Sequence, residues 1–369
     1  MYFKNIIGQE IIKNELLTQV REGRIAHTQL FCAPEGVGGF SLALAYARYL
    51  NCNNPSETDS CGTCPSCVKI DKLVHPDLHF AFPVVRNKLS DDFIEEWREF
   101  VINTPYFSLN QWLNHIEAAN SQAIIYTKES DNILQKLSLK SSEGKYKITI
   151  IWLPEKMNTV CANKLLKILE EPPAKTLFFL ISEQPNELLS TILSRTQRID
   201  IPLLKEEEIN SHLISDYGIS EPIAERIAHI ANGNLNKALA QIQINESQVE
   251  FLELFVHVMR VAYARRVKEI KKWSEKVAAL GREKQKQLLT YWQYMVRENF
   301  IYNFNQTELN YMSQDEENFS VNFAPFINES NIFGLMEELD LAQQHIEQNV
   351  NARMVFFDFA LKLIVLIKQ

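Results

Sequence analysis

Three glycines within four residues, Gly36, Gly38 and Gly39, separate a short apolar run from a helical pattern. The run is Gln29-Leu30-Phe31-Cys32-Ala33, closed by Pro34, and the helical pattern covers residues 40–50. A strand that turns on glycines into a helix begins a phosphate-binding α/β unit, because the turn must present backbone N–H groups to a ligand without side chains in the way. The alternation continues over the next 150 residues. A second strand is predicted at 78–82. Residues 146–153 gather Ile148, Ile150, Ile151 and Trp152 around β-branched Thr149, a strong strand signal. A helix follows, capped by Asn158 or Thr159 and stopped by Pro172-Pro173. Thr176–Ser182 reads as a fully buried strand and 198–201 as a short last one. This order predicts a parallel sheet covered by helices on both faces.

The glycine turn lacks the side chains that would use it. A working phosphate loop, G-x-x-x-x-G-K-[ST], needs a lysine for the β- and γ-phosphates and a hydroxyl for Mg²⁺. Here Ala33 replaces the first glycine, Gly39 stands at the lysine position and Phe40 at the hydroxyl position. Ser41 is one residue late, a rotation of about 100° on a helix. A nucleotide hydrolase also needs carboxylates at the end of a buried strand. Trp152 and Leu153 occupy those places, and Glu155 comes two residues later, beyond Pro154. These losses together predict a chain that hydrolyses no ATP and is not an enzyme by itself.

Cys52, Cys61, Cys64 and Cys67 form C-x8-C-x2-C-x2-C inside an insert at about 51–75. With no leader pattern at Met1-Tyr2-Phe3-Lys4-Asn5, the expected compartment is the cytoplasm, where such a spacing indicates metal and not disulfides. Four thiolates suit tetrahedral Zn²⁺ in a structural role, with no ligand position left for water. An iron–sulfur cluster is the alternative occupant. Cys32 and Cys161 fall on strand and helix patterns and are read as core.

The division expected from pattern is an α/β domain over 1–203, a small helical lid over 204–243, and a helical domain over 244–369. The lid is broken near Gly218 and Gly233, and the last domain has a looser, asparagine-rich patch around 303–330. Residues 84–120 are polar and aromatic, with Trp97, Tyr106, Phe107 and Trp112, and give only a vague helical excursion.

Several strings resemble the AAA+ clamp-loader subunits of bacterial DNA polymerase III. These are Ile7-Gly8-Gln9, Gly23-Arg24-Ile25-Ala26-His27, the run Ala162-Asn163-Lys164-Leu165-Leu166-Lys167-Ile168-Leu169-Glu170-Glu171-Pro172-Pro173, and Thr191-Ile192-Leu193-Ser194-Arg195-Thr196. The resemblance covers about residues 3–240 and fades over 84–130. It implies a heteropentameric ring that loads a sliding clamp on primed DNA. Gamma/tau-type motor subunits and a delta-type subunit would be the partners, and the last domain would be the collar that joins them. It further implies that this chain is a member without ATP or Mg²⁺ of its own, which presents Arg195, beside Ser194, to a neighbour's ATP. The family pattern is Ser-Arg-Cys, so Thr196 departs at the third place while the arginine is kept. In Gly233-Asn234-Leu235-Asn236, the resemblance places Asn236 where ATP-binding members carry a nucleotide-sensing arginine. A zinc insert and a His-Pro-Asp like His75-Pro76-Asp77 also belong to the family pattern.

The net charge of −8 deprives the chain of a long-range field toward phosphates, so contact with DNA is expected through the assembly. The basic stretch Arg260, Arg265, Arg266, Lys268, Lys271, Lys272 and Lys276 is read as a solvated helix face. The apolar stretch at 354–367 is broken by Asp358 and Lys362 and reads as a buried helix, so no membrane partner is expected. Two other functions fit parts of the sequence: an active ATPase motor, with Lys145 or Lys147 replacing the lost lysine, and a zinc-dependent nucleic-acid-binding module.

Overall fold

The computed structural model describes residues 1–118, 121–139, 142–246, 248–304 and 312–368. It divides into two compact units, Met1–Ala238 and Leu239–Gln369.

The first unit is built on strands β1 (Thr28–Cys32), β2 (Leu78–Ala81), β3 (Lys147–Trp152), β4 (Thr176–Ser182) and β5 (Gln197–Asp200). They pair in the order β2-β3-β4-β1-β5, all parallel. Every residue of β1, β3 and β4 is buried, as three central strands covered on both faces require. β5, at an edge, buries only Ile199. Successive side chains go to opposite faces. Phe31, Ile148, Ile150 and Phe179 join one core with helix α2, whereas Leu30, Ile151, Phe178 and Leu180 join the other.

Around the sheet run α1 (Glu10–Arg21), α2 (Gly39–Asn51), α3 (Pro65–Asp71), α4 (Ile94–Asn103), α5 (Leu109–His115), α6 (Thr127–Ser138), α7 (Thr159–Glu170) and the single turn α8 (Ser190–Leu193). Asn158 is the cap of α7, its side chain accepting from Cys161 N–H at 2.8 Å. The excursion left vague by the sequence has a definite structure. α4 and α5 carry Trp97, Phe100 and Trp112 into a ring cluster with Phe82, Phe107 and Trp152, and Phe82 stacks on Trp97 at 4.1 Å. Such rings each bury about 150–250 Å². At roughly 25 cal/mol per Å², that contributes about 4–6 kcal/mol apiece before entropy. His75-Pro76-Asp77 is a turn entering β2. Its buried Asp77 carboxylate accepts N–H bonds from Ser142, Glu143 and Gly144 at 2.7–3.1 Å, holding the approach to β3.

α9 (Glu206–Tyr217) and α10 (Glu221–Ala231) also belong to the first unit. α9 ends on left-handed Gly218 and α10 on left-handed Asn232, beside Gly233, so the breaks fall where expected. α11 (Leu235–Glu246) leads into the second unit, an all-helical body of α12 (Gln248–Tyr263), α13 (Val267–Ala278), α14 (Arg282–Tyr302), α15 (Gln314–Phe323), α16 (Ile332–Glu347) and α17 (Ala352–Leu366). Its core stacks Trp273, Trp292 and Phe359. The cations of the 260–276 stretch are exposed but not on a single helix face: Arg260 is on α12, Arg265 and Arg266 are in the turn, and the four lysines are on α13, whose Ile270, Trp273 and Val277 are buried. The patch around 303–330 is more regular than the sequence suggests, because α15 lies in it; residues 305–311 fall outside the described residues. Among the described residues no helix is long and apolar enough to cross a membrane.

Candidate functional site

The glycine turn lies between β1 and α2 with Gly36 and Gly38 at φ 80° and 83°, a region where a side chain is strained. Gly38 caps α2, so the loop has the backbone form of an anion cradle. Its surroundings are protein. A Cβ on Gly38 would lie 2.6 Å from the Tyr106 ring, and one on Gly36 would run into the Asn234 side chain. The Tyr106 hydroxyl accepts the Ile7 N–H at 2.9 Å, and burial pushes its pKa up to about 12. Gly36 C=O accepts the Leu235 N–H at 3.1 Å. A Cβ on Gly39 would meet the Ala33 methyl, so the two departures from the phosphate-loop pattern are sterically linked.

Phe40 enters the aromatic cluster, with ring centroids 5.3 Å from Phe107 and 5.5 Å from Trp97. Ser41 Oγ donates to Pro105 C=O at 2.5 Å, so its hydroxyl hydrogen is engaged by the backbone. Trp152 packs on Phe107 at 4.9 Å, and Leu153 is buried in a left-handed conformation at φ 53°. Glu155 Oε1 accepts the N–H groups of Glu183 and Gln184 at 2.9 and 3.2 Å. Glu183 is pushed up to about 8 by burial and by the neighbouring Glu35 and Glu155. The space left among Gly36, Gly38, Tyr106, Phe107, Trp152 and Glu183 is about 20 Å³, room for one water. Ligand pockets run to roughly 300–1,000 Å³. Lys145 and Lys147 donate to Cys52 C=O and to the carbonyls of Lys136 and Leu139, so neither reaches the loop.

Asn234 caps α11 by accepting the Lys237 N–H at 3.1 Å. Asn236 is buried beside it, and neither amide atom finds a partner among the described residues. Arg195 lies elsewhere, between α8 and β5. Its Nε donates to Glu170 Oε2 at 2.7 Å and its Nη1 to Thr191 C=O at 3.0 Å, with Ser194 Oγ at 3.4 Å. Its side chain is 30% exposed.

The four cysteines converge. Their Sγ atoms all lie within 4.8 Å of one another. Tetrahedral zinc with Zn–S of about 2.3 Å needs sulfurs about 3.8 Å apart, so the donor set fits that ion. Cys61 N–H donates to Cys52 Sγ, Cys64 N–H to Cys61 Sγ and Cys67 N–H to Cys64 Sγ, at 3.3–3.5 Å. Backbone donors from Cys64 and Thr63 pull the Cys61 thiol down to about 6, while burial pushes Cys52 up to about 12. Fully buried Arg48 donates to Met1 C=O at 3.1 Å and to Asp71 Oδ2 at 2.8 Å, and its charge opposes the rise that burial imposes on the Cys67 thiol, placing a cation near the thiolate cage. The sequence names Tyr106, Phe107 and Glu170 without giving them a place at a site, and it does not single out Arg48. Each acts through a partner distant in the chain, and no local spacing announces that.

A parallel five-stranded sheet with a glycine turn at the end of β1 defines an α/β domain of the phosphate-loop type. Residues 8–205 match the family model described as "DNA polymerase III, delta subunit", and the chain belongs to that family. It is 28% identical over 243 residues to the DNA polymerase III subunit delta' of Bacillus subtilis, covering 65% of this chain and 62% of that protein. It is 27% identical over 243 residues to the subunit tau/gamma of Haemophilus influenzae, covering 64% of this chain and 30% of that one. The chain thus spans about a third of the length of the tau-type relatives it matches. Among solved structures, a gamma subunit-related protein of Thermotoga maritima is similar with a TM-score of 0.43 at 14% identity, over 97% of this chain and 99% of that one. The clamp loader delta protein of Bacillus subtilis gives a TM-score of 0.34 at 10% identity, over 96% and 99%.

Proposed function

We propose that this chain is a delta-prime-like, non-hydrolysing subunit of a DNA polymerase III clamp loader. In this reading it stands in a heteropentameric ring with gamma/tau-type motors and a delta-type subunit, and helps load the sliding clamp on primed DNA in the bacterial cytoplasm. The observation that carries the non-hydrolysing role is the filled cleft: about 20 Å³ remains where a nucleoside triphosphate would lie. The missing lysine, hydroxyl and carboxylates agree with it. Residues 204–243 would serve as the lid and 244–369 as the collar.

Arg195 would act in trans. A guanidinium at a neighbour's γ-phosphate stabilises charge in the transition state, and such fingers supply on the order of 10³–10⁵ in rate. Its place outside its own cleft supports delivery to another subunit. The cysteine cage would hold Zn²⁺ as a brace for the insert, with all four positions taken and no part in catalysis. Titration calorimetry of ATP–Mg²⁺ into the isolated chain tests the central point. No binding at micromolar nucleotide is expected. A micromolar, Mg²⁺-dependent site would overturn the proposal and favour an active motor.

A further inference from the structure

We infer that Glu170 is the positioning residue for Arg195, holding the guanidinium at Nε so that Nη2 is offered to a terminal phosphate on a neighbouring subunit. The inference rests on the reading of Arg195 as a finger in trans. Glu170 is the last residue of α7. A carboxylate at a helix C-terminus faces the negative end of the macrodipole and is unfavourable there unless a cation shares the place. Arg195 supplies that cation from 25 residues further on, with Nε on Glu170 Oε2 at 2.7 Å. Nη1 is held by Thr191 C=O and Ser194 Oγ.

Arginine has five N–H donors in a rigid fork. The acceptors above take the Nε–H on one side of the group and Nη1 on the other. Among the described residues Nη2 makes no hydrogen bond, and the side chain keeps 30% exposure. The fork is therefore pinned at Nε and at Nη1, and Nη2, the nitrogen between those two contacts, is left for a phosphate oxygen. An arginine already held in one rotamer loses less freedom when it meets a phosphate than one free in solvent. Glu170 is itself 56% exposed, and an ion pair this exposed adds little to stability. Its removal leaves the fold intact and acts on the rate.

The test uses the assembled clamp loader, with ATPase stimulated by clamp and primed DNA. Glu170→Ala is expected to lower kcat about tenfold, with KM for ATP changed less than twofold, because position and not ground-state binding is lost. Glu170→Gln keeps an oxygen for the Nε–H and is expected to stay within about threefold of wild type. The double variant Glu170→Ala/Arg195→Ala should be no slower than Arg195→Ala alone. Unchanged turnover in Glu170→Ala, or losses that multiply in the double variant, would overturn the inference while leaving Arg195 as the finger. Unchanged turnover in Arg195→Ala would instead remove the reading on which it rests.

Discussion

The steric link between Ala33 and Gly39 makes a quantitative prediction about the altered phosphate loop. A Cβ on Gly39 would overlap the Ala33 methyl, and Ile181 Cγ2 lies 3.4 Å away on another side. Carbon atoms pack best at about 3.5–4.0 Å, so one of the two must shift. Overpacking of this kind costs about 1–3 kcal/mol, against which alanine recovers up to about 1 kcal/mol over glycine in a helix. Gly39→Ala should therefore destabilise by up to about 2 kcal/mol. Ala33→Gly alone loses a buried methyl and stiffens nothing, a loss of similar size. In the double variant the clash is gone, so the two effects should not add, and the cycle should return a favourable coupling of about 1–2 kcal/mol. Hydrogen exchange on peptides from β1 and α2 isolates the first unit and reads its opening free energy in all four proteins. Additivity within about 0.5 kcal/mol would refute the reasoning, as would a Gly39→Ala variant more stable than the parent.

Two further outcomes are expected. Freshly purified, reduced protein should carry one Zn²⁺ per chain by native mass spectrometry, and Cys64→Ser or chelation should raise exchange across residues 52–71 while the second unit keeps its protection; metal-free protein with a protected insert would contradict this. Asp77→Ala should cost about 2–4 kcal/mol in the same exchange measurement on β2 and β3, since it strips a buried acceptor from the N–H groups of Ser142, Glu143 and Gly144; a neutral substitution would show that water replaces the carboxylate.

The alternating strands and helices were readable because each carries its own signal. β3 and β4 are continuous apolar runs, and α7 begins on a capping asparagine and stops before two prolines. The glycines of the turn stand where φ is positive at Gly36 and Gly38. What stayed illegible depends on partners far along the chain. Tyr106 meets Ile7 across 99 residues, and Trp97 gains its meaning from Phe82 and Trp152. The helix α15 escaped for a different reason. Its inner face mixes Phe319 and Phe323, packed on Phe255, with Glu316 and Ser320, both fully buried and both polar, so its apolar period is interrupted. Glu316 accepts from the Tyr291 hydroxyl at 2.7 Å, which makes such burial tolerable. The Glu170–Arg195 pair joins two strings that were each legible, but their contact was not.

The most direct measurement is steady-state ATPase of the reconstituted clamp loader, stimulated by clamp and primed DNA, with wild-type chain and with Arg195→Ala, assembly being checked by gel filtration. A fall of at least about a hundredfold in the turnover of the adjoining motor site, with the ring intact, is the predicted result. An intact ring with unchanged turnover would contradict the account and leave Arg195 as an ordinary partner of Glu170.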